Sequence, residues 1–162
     1  MIYRKLAGVF LLAALELAAI ATPRAQGVGD VDNAMRAMQL RMRALNTSRK
    51  NLQQMEYHRD DHEADAAREI SDADTIVFTS AVKVFTVGFI LRGMKSPEDL
   101  HFAQEQFRVV VSSFITTADE ELTRVNDNLH DIARAPALAE ATNIRDLMVD
   151  LRDFLKPFVA KE

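Results

Sequence analysis

Apolar residues recur at Val31, Met35, Met38, Met42, Leu45, Leu52 and Met55, in steps of four and three with one polar slot at Arg49. That one-sided spacing predicts an amphipathic helix of coiled-coil-like character, starting near Asp30. From Glu56 the pattern weakens. Residues 56–74 hold eight acids against Arg59 and Arg68. They read as a solvated continuation of the first helix or as a charged connection to the next one.

Residues 76–91 (IVFTSAVKVFTVGFIL) are apolar almost all round. Half of them are β-branched, so propensity alone allows a strand. Strict alternation is absent, however, and no hairpin turn follows. The segment is expected to be a helix buried on most sides, at the centre of a bundle. Gly88 would permit a close helix approach, and Gly93 is a candidate C-cap.

Ser96-Pro97-Glu98-Asp99 combines an N-cap serine, a proline at the first helical position and acids in the first turn. The stripe that follows runs through Leu100, Ala103, Phe107, Val110 and Phe114, then Leu122, Val125, Leu129 and Ile132. Continuous to Ala133, such a helix is ~55 Å long. Ala135-Pro136 breaks it. A last helix carries Ile144, Leu147, Leu151, Phe154 and Leu155 and ends near Lys156-Pro157. Four helical segments joined by short breaks predict an all-α, up-and-down helix bundle with two long helices, the first and the third. The rival is an α+β fold with 76–91 and 107–117 as strands.

The N-terminus changes the compartment. Arg4-Lys5 precedes an apolar run, Leu6 to Ala21, that contains Glu16 and ends in Ala19-Ile20-Ala21. A basic start, a short apolar stretch and an A-x-A site describe a secretory leader. The run is shorter than the ~20 apolar residues of a membrane span. The expected organisation is therefore a signal peptide at 1–21, a short linker at 22–29 and a single bundle domain at 30–162. The alternative is an uncleaved anchor. Without residues 1–21 the chain keeps 18 basic and 23 acidic residues, a net charge of −5. Such a chain is a poor candidate for non-specific binding to nucleic acid or to an anionic membrane, no stable membrane span is expected after cleavage, and its expected location is the periplasm.

The chain has no cysteine, which removes disulfides, thiolate metal sites and c-type haem attachment. Candidate chemistry is correspondingly thin. His58 and His62 lie one helical turn apart, with Asp61, Asp65 and Glu69 nearby. Imidazoles and carboxylates at that spacing suit a divalent transition metal, so His58, His62 and Asp65 form the candidate metal site. Met35, Met38 and Met42 offer thioethers. The segment Asp30-Val31-Asp32-Asn33-Ala34-Met35, followed by Met38, Met42 and Leu45, resembles the first helix of the periplasmic cytochrome b562 family. That resemblance implies a haem ligand at Met35 and a histidine ligand in the last helix. The last helix here has no histidine, and the nearest is His130. His101 and His130 flank apolar seams and read as surface residues.

No nucleophile triad or phosphate-binding loop can be assembled, and catalysis is not expected. Phe107, Phe114, Phe154 and Phe158, with the Met-rich first helix, either fill the core or present an interaction surface. The Phe158-Val159 tail, following Pro157, is the part expected to be exposed. The sequence therefore predicts an exported binding or structural-interaction module, paired with another protein or with itself. A metal- or haem-binding bundle is the alternative.

Overall fold

The computed structural model describes residues 28–57, 62–94 and 96–159. The expected leader and the linker as far as residue 27 lie outside the described residues, as do His58, Asp60 and Asp61. Helices α1 (Val28–Gln53), α2 (His62–Gly93), α3 (Pro97–Leu129) and α4 (Ala135–Leu155) follow one another, and a 3-10 turn, Lys156–Phe158, follows α4. There is no strand among the described residues. The all-α, up-and-down reading therefore holds, and the strand alternative for 76–91 and 107–117 does not.

Each helix packs on its neighbours in chain order, and α4 closes the ring on α1. Cross-helix pairs set the register. On the α1–α4 side, Asn143 Nδ2 donates to Ser48 Oγ (2.6 Å) and Asn51 Nδ2 donates to Glu140 Oε1 (2.9 Å). Arg41 Nε sits 2.9 Å from Asp150 Oδ2. Between α2 and α3, Arg124 Nε donates to Glu69 Oε2 at 2.8 Å. All of these pairs run antiparallel.

The core runs from Met38 to Leu155, with Leu45, Leu52, Ile70, Val77, Phe114, Ile144, Met148 and Leu151 fully buried. The face that α2 contributes is small: Ala66, Ala67, Ala73, Ala81 and Gly88 are buried there. Small residues let α2 sit deep enough to touch α4 across the diagonal. Gly88 is the tightest point. A Cβ at this position would lie 2.8 Å from Met35 Sδ and 3.5 Å from Phe107 Cε2. The missing side chain is what lets the α1 thioether seat against α2.

Several expectations change. The first helix begins at Val28, not Asp30, and stops at Gln53. Residues 62–74 neither continue it nor form the connection; they are the first two-fifths of α2, continuous with the apolar run. The two longest helices are thus α2 and α3, with 32 and 33 residues. The apolar run 76–91 is not buried on most sides. Val77, Ala81, Val84 and Gly88 face the core, while Ile76, Val82, Phe89 and Ile90 are exposed. In a ring of four helices every member lies on the rim, and none has neighbours all round.

Helix α3 ends at Leu129, and Ile132 is buried from the connection that follows. Ser96 occupies the N-cap position (φ −78°, ψ 131°), but its hydroxyl makes no capping hydrogen bond. Gly93 is the last residue of α2 rather than a cap beyond it. The Phe158-Val159 tail is half-buried. The 3-10 turn brings the Phe158 ring edge-on to Phe107, with centroids 5.7 Å apart, and against Phe154 at 6.1 Å.

Candidate functional site

The large exposed apolar side chains are distributed unevenly. Ile76, Val82, Phe89, Ile90, Leu100, Phe102 and Val109 all belong to the α2–α3 hairpin, against Leu40 on α1 and Leu138 on α4. They arise because these two helices carry more apolar positions than one buried stripe can use. On α3, Val111 and Phe114 take the core while Val109 points away from it.

Between the two helices, on the outer side, runs an open groove of about 520 Å³. Thr75, Ile76, Thr79, Ser80 and Lys83 line it from α2, and Val109, Val110, Ser113 and Thr117 from α3. Lys83 is the one charge in this lining. Several hydroxyls on and beside the groove are already satisfied by their own helix. Thr75 donates to the Ser71 carbonyl, Thr79 to Thr75 and Thr86 to Val82, each at 2.8 Å. Thr116 donates to Ser112 at 3.3 Å. A threonine bonded back to its helix leaves its methyl free to meet an apolar partner. Burying Thr75 and Thr79 therefore strands neither hydroxyl, and a stranded donor is the usual penalty for covering polar surface.

Behind the groove lies a polar layer. Asp74, fully buried on α2, faces Arg49 of α1, whose Nε is 3.4 Å from Asp74 Oδ2. Neither carboxylate oxygen has a hydrogen-bond partner. Burial pushes the Asp74 carboxyl up to about 7, and the Arg49 charge opposes that rise without cancelling it. Arg49 also donates from Nη1 to Thr75 Oγ1 (3.0 Å) and from Nη2 to Asn46 Oδ1 (2.6 Å). Its guanidinium lies over the Phe78 ring, 5.4 Å from the centroid. Thr75 thus joins the groove wall to the buried pair.

A second cluster ties the two connections at the far end of the bundle. Arg134, just before α4, donates from its backbone N–H and Nε to the buried Glu63 carboxylate (3.1 and 2.9 Å) and from Nη1 to the Glu56 carbonyl (2.6 Å). It also stacks over Tyr57, 4.4 Å from the ring centroid. Burial raises the Tyr57 phenol above its ordinary value; Arg134 works against that shift, and Glu63 adds to it.

The residues singled out from sequence do not converge. His62 and Asp65 are exposed at the start of α2, and the Asp65 carboxylate accepts from Arg68 at 3.1 Å. His58 lies outside the described residues, and no group of three metal-ligating side chains occurs among those described. Met35 is half-buried and fills the notch left by Gly88. His130 lies 23 residues beyond Phe107, the α3 residue nearest that notch, so the two are about 35 Å apart along the bundle. The structure does not bring Met35 and His130 to one site. His101 and His130 are exposed.

Sequence reasoning missed both the groove and Asp74. The signal for the groove was the surplus of apolar positions beyond one stripe at Ile76, Val82 and Val109. The signal for Asp74 was the polar slot at Arg49, which needs a buried partner.

The fold defines the class: a four-helix, up-and-down bundle with an open groove on its outer side. Comparisons with protein-family models, with curated proteins and with solved structures give no match to this chain.

Proposed function

We propose that the chain is exported to the periplasm, loses a leader ending at Ala21, and acts there as a non-catalytic interaction module whose protein-binding surface is the α2–α3 groove. The observation that carries this reading is an open groove in which the exposed Ile76 and Val109 stand beside two threonines, Thr75 and Thr79, already bonded to their own helix. Large exposed apolar patches mark interaction surfaces more often than they mark idle surface. A groove between two helices fits the ridge of a third, so the expected partner segment is an amphipathic helix with few charges.

A photo-reactive residue placed at Ser113 tests the surface in cells. A discrete cross-linked adduct is expected from Ser113 and none from Asp146 on the polar side of α4. Val109→Glu should abolish the adduct. If Ser113 yields no adduct, the groove is not a contact surface. Mass analysis of the exported protein checks the leader, because an N-terminus at Thr22 is expected and one at Met1 overturns cleavage.

A further inference from the structure

The hairpin carries a second apolar feature, separate from the groove. At the turn joining α2 to α3, Phe89 and Ile90 are 59% and 51% exposed on one side, and Leu100 and Phe102 are 37% and 66% exposed on the other. The register places this turn beside the start of α1. Met35 packs against Gly88 and Phe107, so the helical turns before Met35 lie level with the last turn of α2 and the first of α3. The chain therefore enters the bundle at the same end as these four side chains. Its apolar run stops at Ala21, and six residues separate that run from Val28. Six residues span about 20 Å at full extension.

Charge adds a second argument. The overall negative charge should keep the protein from a phospholipid surface, but it is not spread evenly. Glu63, Asp65, Glu69 and Asp72 on α2, and Asp119, Glu120, Glu121 and Asp127 on α3, occupy the end away from the turn. Near the turn in sequence, Arg92, Lys95 and Arg108 match Glu98, Asp99 and Glu105 in number, and Arg108 is paired with Glu105 at 2.8 Å. At an ionic strength of about 0.15 M, charges more than about 8 Å from a surface are largely screened. The acidic end thus does not oppose an approach made by the turn.

We infer that the α2–α3 turn is a peripheral membrane-contact site, at which Phe89, Ile90, Leu100 and Phe102 enter the headgroup layer of a phospholipid bilayer. Apolar side chains on helices can bury into the headgroup layer this way without spanning the membrane. The tethering argument rests on the export reading, because the apolar run brings the turn to the bilayer during translocation. The contact itself requires no leader.

Vesicle flotation tests it, using the full chain and the chain beginning at Thr22, whose buried core lies within residues 38–155. Vesicles of phosphatidylcholine, and of phosphatidylcholine mixed with phosphatidylglycerol, serve as the probe. The chain beginning at Thr22 is expected to float with both. Phe89→Ser/Phe102→Ser should lower its partition roughly tenfold or more. Ile76→Ser/Val109→Ser in the groove should leave partition unchanged. Circular dichroism verifies that each variant is folded. Three results overturn the inference: a Thr22 chain that stays with the buffer, equal flotation of the Phe89/Phe102 variant, or a dimer in light scattering that this variant dissolves. The last would place a second copy on the turn. Failure of the export reading appears separately, as an N-terminus at Met1 in cells, and leaves the flotation of the Thr22 chain as the test of the contact.

Discussion

Asp74 carries the sharpest consequence at the scale of single residues. Its carboxyl is fully buried without a hydrogen bond and titrates near 7, against 3.8 when unfolded. Between those values the folded protein holds a proton that the unfolded chain has released. Stability is therefore greatest below about pH 4 as far as this group is concerned, and it falls as pH rises through 7, by about 1.4 kcal/mol per pH unit within the window. Asp74→Asn removes the titration. The variant should match the parent near pH 4 and exceed it at pH 8 by a few kcal/mol, on the order of the full linkage. Urea unfolding at both pH values measures this, and the difference between the two proteins cancels every other titrating group. Equal stabilities at pH 8 would show that Asp74 is not titrating in this range. The sequence contained half of this pair. Arg49 interrupts an otherwise apolar seam, but a slot on one helix does not say which of eight downstream acids fills it.

At the scale of helices, the starts and stops differ in what holds them. Ser96 stands in the capping position with its hydroxyl unused, whereas Arg134 bonds the α3–α4 connection to Glu63 on α2 and Glu56 beyond α1. Ser96→Ala should therefore cost only a few tenths of a kcal/mol instead of the ~1 kcal/mol of a working cap. Arg134→Ala should cost roughly 1–3 kcal/mol, because it withdraws charge-assisted bonds from a buried carboxylate. Chemical denaturation of both variants separates the two cases. Helix existence was legible throughout from the period of Met, Leu and Phe positions. The join of acidic and apolar segments into α2 was not. The buried face of residues 62–74 holds three alanines (Ala66, Ala67, Ala73) and three polar residues (Glu63, Ser71, Asp74), which leaves Ile70 alone to mark a hydropathy stripe. Gly93 and Ser96 advertised caps that the backbone satisfies differently.

For the whole molecule, the ring of four helices decides which apolar residues stay outside. Val109 and Val111 are two positions apart on α3, and they are 62% and 0% exposed. Val109→Glu should change stability by less than about 0.5 kcal/mol, while Val111→Glu places a charge in the core and should unfold the domain. Thermal melts of the two variants check this. The candidate metal and haem ligands were chosen by spacing along one helix, and spacing cannot supply a second element. Met35 and His130 lie at opposite ends, and His62 and Asp65 face solvent. The groove was illegible for a related reason: an apolar surplus is visible in sequence, but its destination depends on how many neighbours each helix has.

The continuity of α2, acidic for its first two-fifths and apolar to its end, makes the bundle asymmetric along its length. Most amphipathic helices separate water and oil around their axis; this one also separates them from end to end. Along α2 the molecule accordingly has the layout of a surfactant, with an acidic head and an oily foot. It should adsorb to any oil–water boundary upright, so that a dense layer presents carboxylates outward and resists a second layer by mutual repulsion.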